Sequence, residues 1–115
     1  MPMLKFYRQN LASGATYRPL DGWQYEYLPF PALVEIAVIA SAIGSANMTI
    51  TSGSDTLAED QVVGGGGTDG VYPDNDKPDM EDLAAAGDRL KISIRETAAA
   101  GTVDIMGWIR LTRLG

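Results

Sequence analysis

The chain has 115 residues, room for one domain with a sizeable core and hardly for two. It contains no cysteine and no histidine, which excludes disulfides, thiolate or imidazole metal sites, a cysteine nucleophile and every Ser-His-Asp arrangement. The formal net charge of -6 is concentrated: ten acids face the single base Lys77 between Asp55 and Asp88, so nucleic acid and anionic membrane are poor partners.

Taken in chain order, most elements read as strands. Leu4–Gln9 is a short strand candidate, followed by the turn pair Ser13-Gly14. Trp23–Leu28 places Trp23, Tyr25 and Tyr27 on one parity and reads as a strand. Pro29-Phe30-Pro31 is extended, because each proline restricts the residue before it. It reads as a crossover between sheets or as a segment lying on a neighbour. Leu33–Ala40 is apolar on both parities except for Glu35, and its valines and isoleucines favour a buried strand. Met48 and Ile50 alternate with Thr49 and Thr51, and the cluster Ser52-Gly53-Ser54-Asp55 marks a turn. Thr56–Val63 is a further, weaker strand.

The four glycines Gly64–Gly67 then open a stretch of about 15 residues without apolar periodicity. No Lys-Ser or Lys-Thr follows them, so a phosphate-cradling loop is not expected, and a surface tether is. Asp79–Ala86 has the look of two helical turns, with Asp79 as N-cap, Asp82 three residues on and Gly87 as the stop. Leu90, Ile92 and Ile94 alternate with charged and polar residues, and so do Val103, Ile105, Ile109 and Leu111. Ala98-Ala99-Ala100-Gly101 between these two strands reads as a hairpin loop.

Six to eight strands with regular turns predict an all-β fold: one β-sandwich domain over residues 1–115, jelly-roll-like. It carries one long acidic, Gly-rich excursion over residues 64–87, with a short helix at its end. Met1–Asn10 carries Lys5 and Arg8 without a continuous apolar region, and no stretch approaches the roughly 20 apolar residues of a membrane span. The chain is expected to be soluble and made in a cytoplasm.

No constellation for chemistry emerges, so no enzyme activity, catalytic residue, cofactor or metal is assigned. Asp74, Asp76, Asp79, Glu81 and Asp82 place oxygen ligands close together, as calcium requires. The EF-hand spacing counted from Asp74 fails, however, because Asp79 and Ala85 stand where glycine and glutamate are needed. A looser calcium site stays open. Glu26 and Glu35 have no spacing that brings them together, and each reads as a strand-face charge. The aromatic set Tyr17, Trp23, Tyr25, Tyr27 and Phe30 suits an interface or a sugar platform. In the last strand, Trp108 has the parity opposite to Ile109 and Leu111. It is therefore expected to point outward beside Arg110 and Arg113 as an interface anchor, unless the core takes both faces. The basic C-terminal end could complement the acidic segment of another subunit, which favours head-to-tail assembly.

The segments Leu4–Ser13, Ser52-Gly53-Ser54-Asp55-Thr56, Tyr72-Pro73-Asp74, Ala86-Gly87-Asp88-Arg89-Leu90 and Arg95-Glu96-Thr97-Ala98 carry a resemblance. On them the chain resembles the decoration, or cement, proteins of tailed-bacteriophage capsids, which are small β-sandwich proteins. The resemblance implies a virion protein on the outer capsid surface, made in the host cytoplasm, that bridges neighbouring capsomers. The implied partners are the major capsid protein and further copies of the chain, a homotrimer before a dimer. It also implies that residues 1–13 form an extended arm for strand addition to a neighbour. The expected interface residues are then Leu4, Phe6 and Tyr7 on the arm, Trp23, Tyr25, Tyr27 and Phe30 on the aromatic segment, and Trp108, Arg110 and Arg113 at the end. The alternative is a monomeric carbohydrate-binding or adhesion module, calcium-dependent if the acidic segment binds the ion.

Overall fold

The computed structural model describes residues 3–12, 14–41, 46–65, 67, 71–74, 78–96 and 102–114. These form eight strands: β1 (Met3–Ala12), β2 (Thr16–Tyr17), β3 (Ala32–Ala40), β4 (Ala46–Ser52), β5 (Asp55–Val62), β6 (Met80–Ala84), β7 (Leu90–Glu96) and β8 (Thr102–Arg113). They build two four-stranded antiparallel sheets, ordered β1-β8-β3-β6 and β2-β7-β4-β5. Only β4 and β5 are consecutive strands paired within one sheet; every other connection passes from one sheet to the other. This order is a double Greek key, so the β-sandwich is a jelly roll.

Alternation in the sequence becomes the core directly. Met48 and Ile50 of β4, Leu90, Ile92 and Ile94 of β7, and Val34, Ile36 and Val38 of β3 are all buried between the sheets. From β8, Val103, Ile105, Ile109 and Leu111 join them. The β4–β5 hairpin turns on Gly53, whose φ of 60° lies in the left-handed region where a β-carbon is costly. The Asp88 carboxylate occupies the space that such a carbon would need, 2.6 Å from it.

Four expectations about elements are corrected. Asp79–Ala86 is not a helix: Met80–Ala84 is strand β6, paired antiparallel with β3 from Ile36↔Met80 to Ala32↔Ala84. The open edge of β3 offers a full ladder of hydrogen bonds, which outweighs a helix of two turns. No helix occurs among the described residues, so none there could cross a membrane. Trp23–Leu28 is not a strand but a series of turns with a single bridge, Tyr27↔Arg89. It belongs to the crossover from β2 to β3, where Leu20 and Leu28 are buried and bind the crossover to the core. Ala98–Gly101 lies outside the described residues, but β7 and β8 sit in different sheets, so their connection is a crossover and not a hairpin. The expected extended arm for strand addition to a neighbour is strand β1, paired within its own chain with β8 from Met3↔Arg110 to Ala12↔Thr102.

The excursion after β5 is shorter than expected and is held down. The Ala40 N–H donates to Gly64 O at 2.8 Å and the Gly67 N–H to Ala40 O at 3.0 Å. Further on, the Trp108 indole N–H donates to Pro73 O at 3.1 Å, and the Asp79 N–H to Ile36 O at 2.8 Å. The described residues Gly67 and Pro73 therefore lie against the outer face of the β1-β8-β3-β6 sheet.

Candidate interaction surface

The crossover from β2 to β3 brings the expected aromatic residues together. The Trp23 and Tyr25 rings meet edge to face with centroids 5.3 Å apart, and Tyr25 and Phe30 follow at 5.9 Å. The expected extended Pro29-Phe30-Pro31 is corrected: the backbone bends at Pro29 and Phe30, and Phe30 comes back onto this group. The Arg113 guanidinium stacks over Phe30, 5.4 Å from the ring centroid. Together with Gln24 they line an open cleft of about 600 Å³, closed on the other side by Met3 and Thr112 at the ends of β1 and β8. All three rings are half-buried and line the cleft. Tyr27 points away, 60% exposed, with the Arg89 guanidinium 5.6 Å from its ring centroid.

The other expected interface residues divide. Tyr7 is exposed on β1, whereas Leu4 packs half-buried against the core and Phe6 is buried within it, 4% exposed. Phe6 lies opposite Gly107 of β8 and fills the space above it, which takes it off any interface. Trp108 is also corrected: it faces away from the main core, as its parity requires, yet it is fully buried. With Met106 and Ala37, both also buried, it forms a second apolar layer beneath the excursion segment. The acidic composition of the segment concealed this: Gly67 lies against Met106 and Ile39, the Pro73 carbonyl accepts the indole N–H, and neither contact leaves an apolar pattern in the sequence. Arg110 is held inside the chain. It makes a two-pronged ion pair with Glu35, directly opposite on β3, at 3.2 and 3.1 Å, and lies over the Trp108 ring.

Glu26 and Glu35 each have their own arginine, which accounts for both without catalysis. The Glu26 carboxylate accepts the Gly22 N–H at 3.1 Å and the Arg89 Nε–H at 2.8 Å. The Gly22 bond, and then the Arg89 guanidinium, hold its carboxyl below the ordinary carboxylate value. A depressed folded-state pKa gives stabilisation that is complete above the unfolded value and is lost as pH falls through the folded one. Wild-type protein is therefore expected to melt higher than Glu26→Gln at neutral pH. The gap should close as the pH is lowered from about 7 to about 3, read from thermal melts of both proteins. A gap that stays constant with pH would refute the ionic role.

Among the described residues, no group of three or more acidic side chains is placed to hold a metal ion. Asp76 lies outside the described residues, and the Asp79 carboxylate accepts the Val38 N–H at 3.0 Å. Comparison with family models, with curated proteins and with solved structures returned no match for this chain.

Proposed function

We propose that this protein is a structural subunit of a virion, of the decoration type. It binds the outer surface of an assembled capsid lattice as a homo-oligomer, a trimer before a dimer, and bridges neighbouring capsomers. The observation that carries the reading is the strand order, a double Greek key of the kind that viral capsid domains use. The mechanism is avidity: each copy engages several lattice subunits, and weak contacts reinforce one another through effective concentration. The aromatic cleft with Arg113 at its rim is the surface best suited to anchor such a contact, since aromatic and arginine side chains dominate interface energies. The acidic excursion keeps the outer face repelled from nucleic acid.

The same cleft supports a second reading, a glycan-binding module. Its clustered, partly exposed rings beside Gln24 and Arg113 supply apolar surface and hydrogen-bond donors for a sugar. Light scattering over a concentration range, followed by co-sedimentation with mature tailed-phage shells and a glycan array, separates the two. A stable oligomer with saturable shell binding is the expected result. A monomer that ignores shells and binds a glycan, with loss of binding in Trp23→Ala, would transfer the function to the second reading.

A further inference from the structure

We propose that copies of this chain join head to tail through the two unlike edges of the β1-β8-β3-β6 sheet, β6 of one copy against β1 of the next. The inference rests on the homo-oligomeric reading above and names its interface. Both edges have an unpaired side in the sheet order. Successive antiparallel pairing means that β1 and β3 run one way, β8 and β6 the other. A neighbour in the same orientation therefore presents its β1 antiparallel to β6, continuing the alternation.

The charges select this pairing. β1 carries Lys5 and Arg8, and β6 carries Glu81 and Asp82. Like edges brought together would oppose like charges, which disfavours two-fold β1–β1 or β6–β6 contacts, while unlike edges attract. Arg8 lies opposite Ile105 and Asp82 opposite Val34, so both charges have the parity of the core side of the sheet. Charges placed inward on an edge strand deter indiscriminate pairing. Here the two have opposite sign, and the Asp82 Oδ2 atom is shielded from solvent without a hydrogen-bond partner among the described residues. In an antiparallel register that sets Arg8 opposite Asp82, Tyr7 falls opposite Leu83, on the outer side. These are two of the large apolar side chains that the single chain leaves exposed, at 36% and 69%. The same register sets Gln9 opposite Glu81 and Phe6 opposite Ala84. The other sheet offers no comparable edges. β2 has two residues, and β5 is bulged at Asp60, whose φ is 47°.

The test is the solution mass of the full chain by light scattering, with thermal melts confirming that each variant is folded. Arg8→Glu and Asp82→Arg are each expected to weaken self-association by about tenfold or more, and the double reversal to restore it. The chain has no cysteine of its own, so Tyr7→Cys/Leu83→Cys is expected to give covalently linked multimers on oxidation. Either single cysteine should stay unlinked. Dimers from Tyr7→Cys alone, or an oligomer indifferent to both charge reversals, would overturn the edge pairing. A wild-type monomer at every concentration would overturn it too, and shell binding by that monomer would leave the decoration reading standing.

Discussion

Replacing Trp108 by alanine is expected to lower the unfolding free energy by about 3–5 kcal/mol, the range for truncating a fully buried large aromatic side chain. The indole supplies the floor on which the excursion segment rests, and its N–H satisfies the Pro73 carbonyl. Two separable effects follow. Trp108→Phe retains most of the apolar volume and loses the hydrogen bond, so its cost should be nearer about 0.5–1.5 kcal/mol. Trp108→Ala should in addition loosen residues 71–74, making them a new site of limited proteolysis at temperatures where the sandwich is still folded. Urea unfolding followed by circular dichroism measures the first effect without depending on the lost fluorophore. A loss below about 1 kcal/mol for Trp108→Ala would mean that the outer layer contributes little and that the segment is held by its backbone bonds alone.

Gly107→Ala is expected to cost about 1–3 kcal/mol, although it adds a single methyl group and the position has no left-handed backbone. The reason is local. A β-carbon at residue 107 would sit 2.4 Å from Cζ of Phe6, whose ring covers this glycine across the β1–β8 pair. Phe6 is itself confined, buried in the core and in edge-to-face contact with Tyr17 at 6.2 Å, so the ring cannot swing out without opening a void. Gly107→Val should cost more. A smaller partner tests the cause: in Phe6→Leu the methyl has room, so the double variant should be more stable than the sum of the two single losses predicts. Strict additivity would show that the strain lies elsewhere. The experiment also bears on assembly, because Phe6 separates Lys5 from Tyr7 and Arg8 on the edge strand, and a displaced ring would disturb all three.

The interaction surface and the fold differ in how far local sequence reveals them. The aromatic cleft was legible as a group, since Trp23, Tyr25 and Phe30 are close in sequence and any turn or strand keeps them near one another. The stacking of Arg113 on Phe30 was not, because it joins residues far apart in the chain. The β6 segment shows the opposite failure. Asp79, Asp82 and Gly87 have the spacing of a capped helix. Met80, Asp82 and Ala84 also share a strand parity, and over so few residues neither pattern excludes the other. The vacant edge of β3 made the choice.

What the sequence determined by itself was parity and class. Alternation in β4, β7 and β8 states which side chains share a face. The absence of cysteine and histidine removes most site chemistry, and the turn residues mark where strands must end. Those properties are local, set by a backbone period of two and by the reach of single side chains. Which strands pair, which connections cross between sheets and which outward face is covered were decided only in the tertiary structure. Trp108 shows why. Its parity is the same whether it faces solvent or a folded-back segment, and the Pro73 carbonyl that its indole N–H meets leaves no apolar pattern of its own.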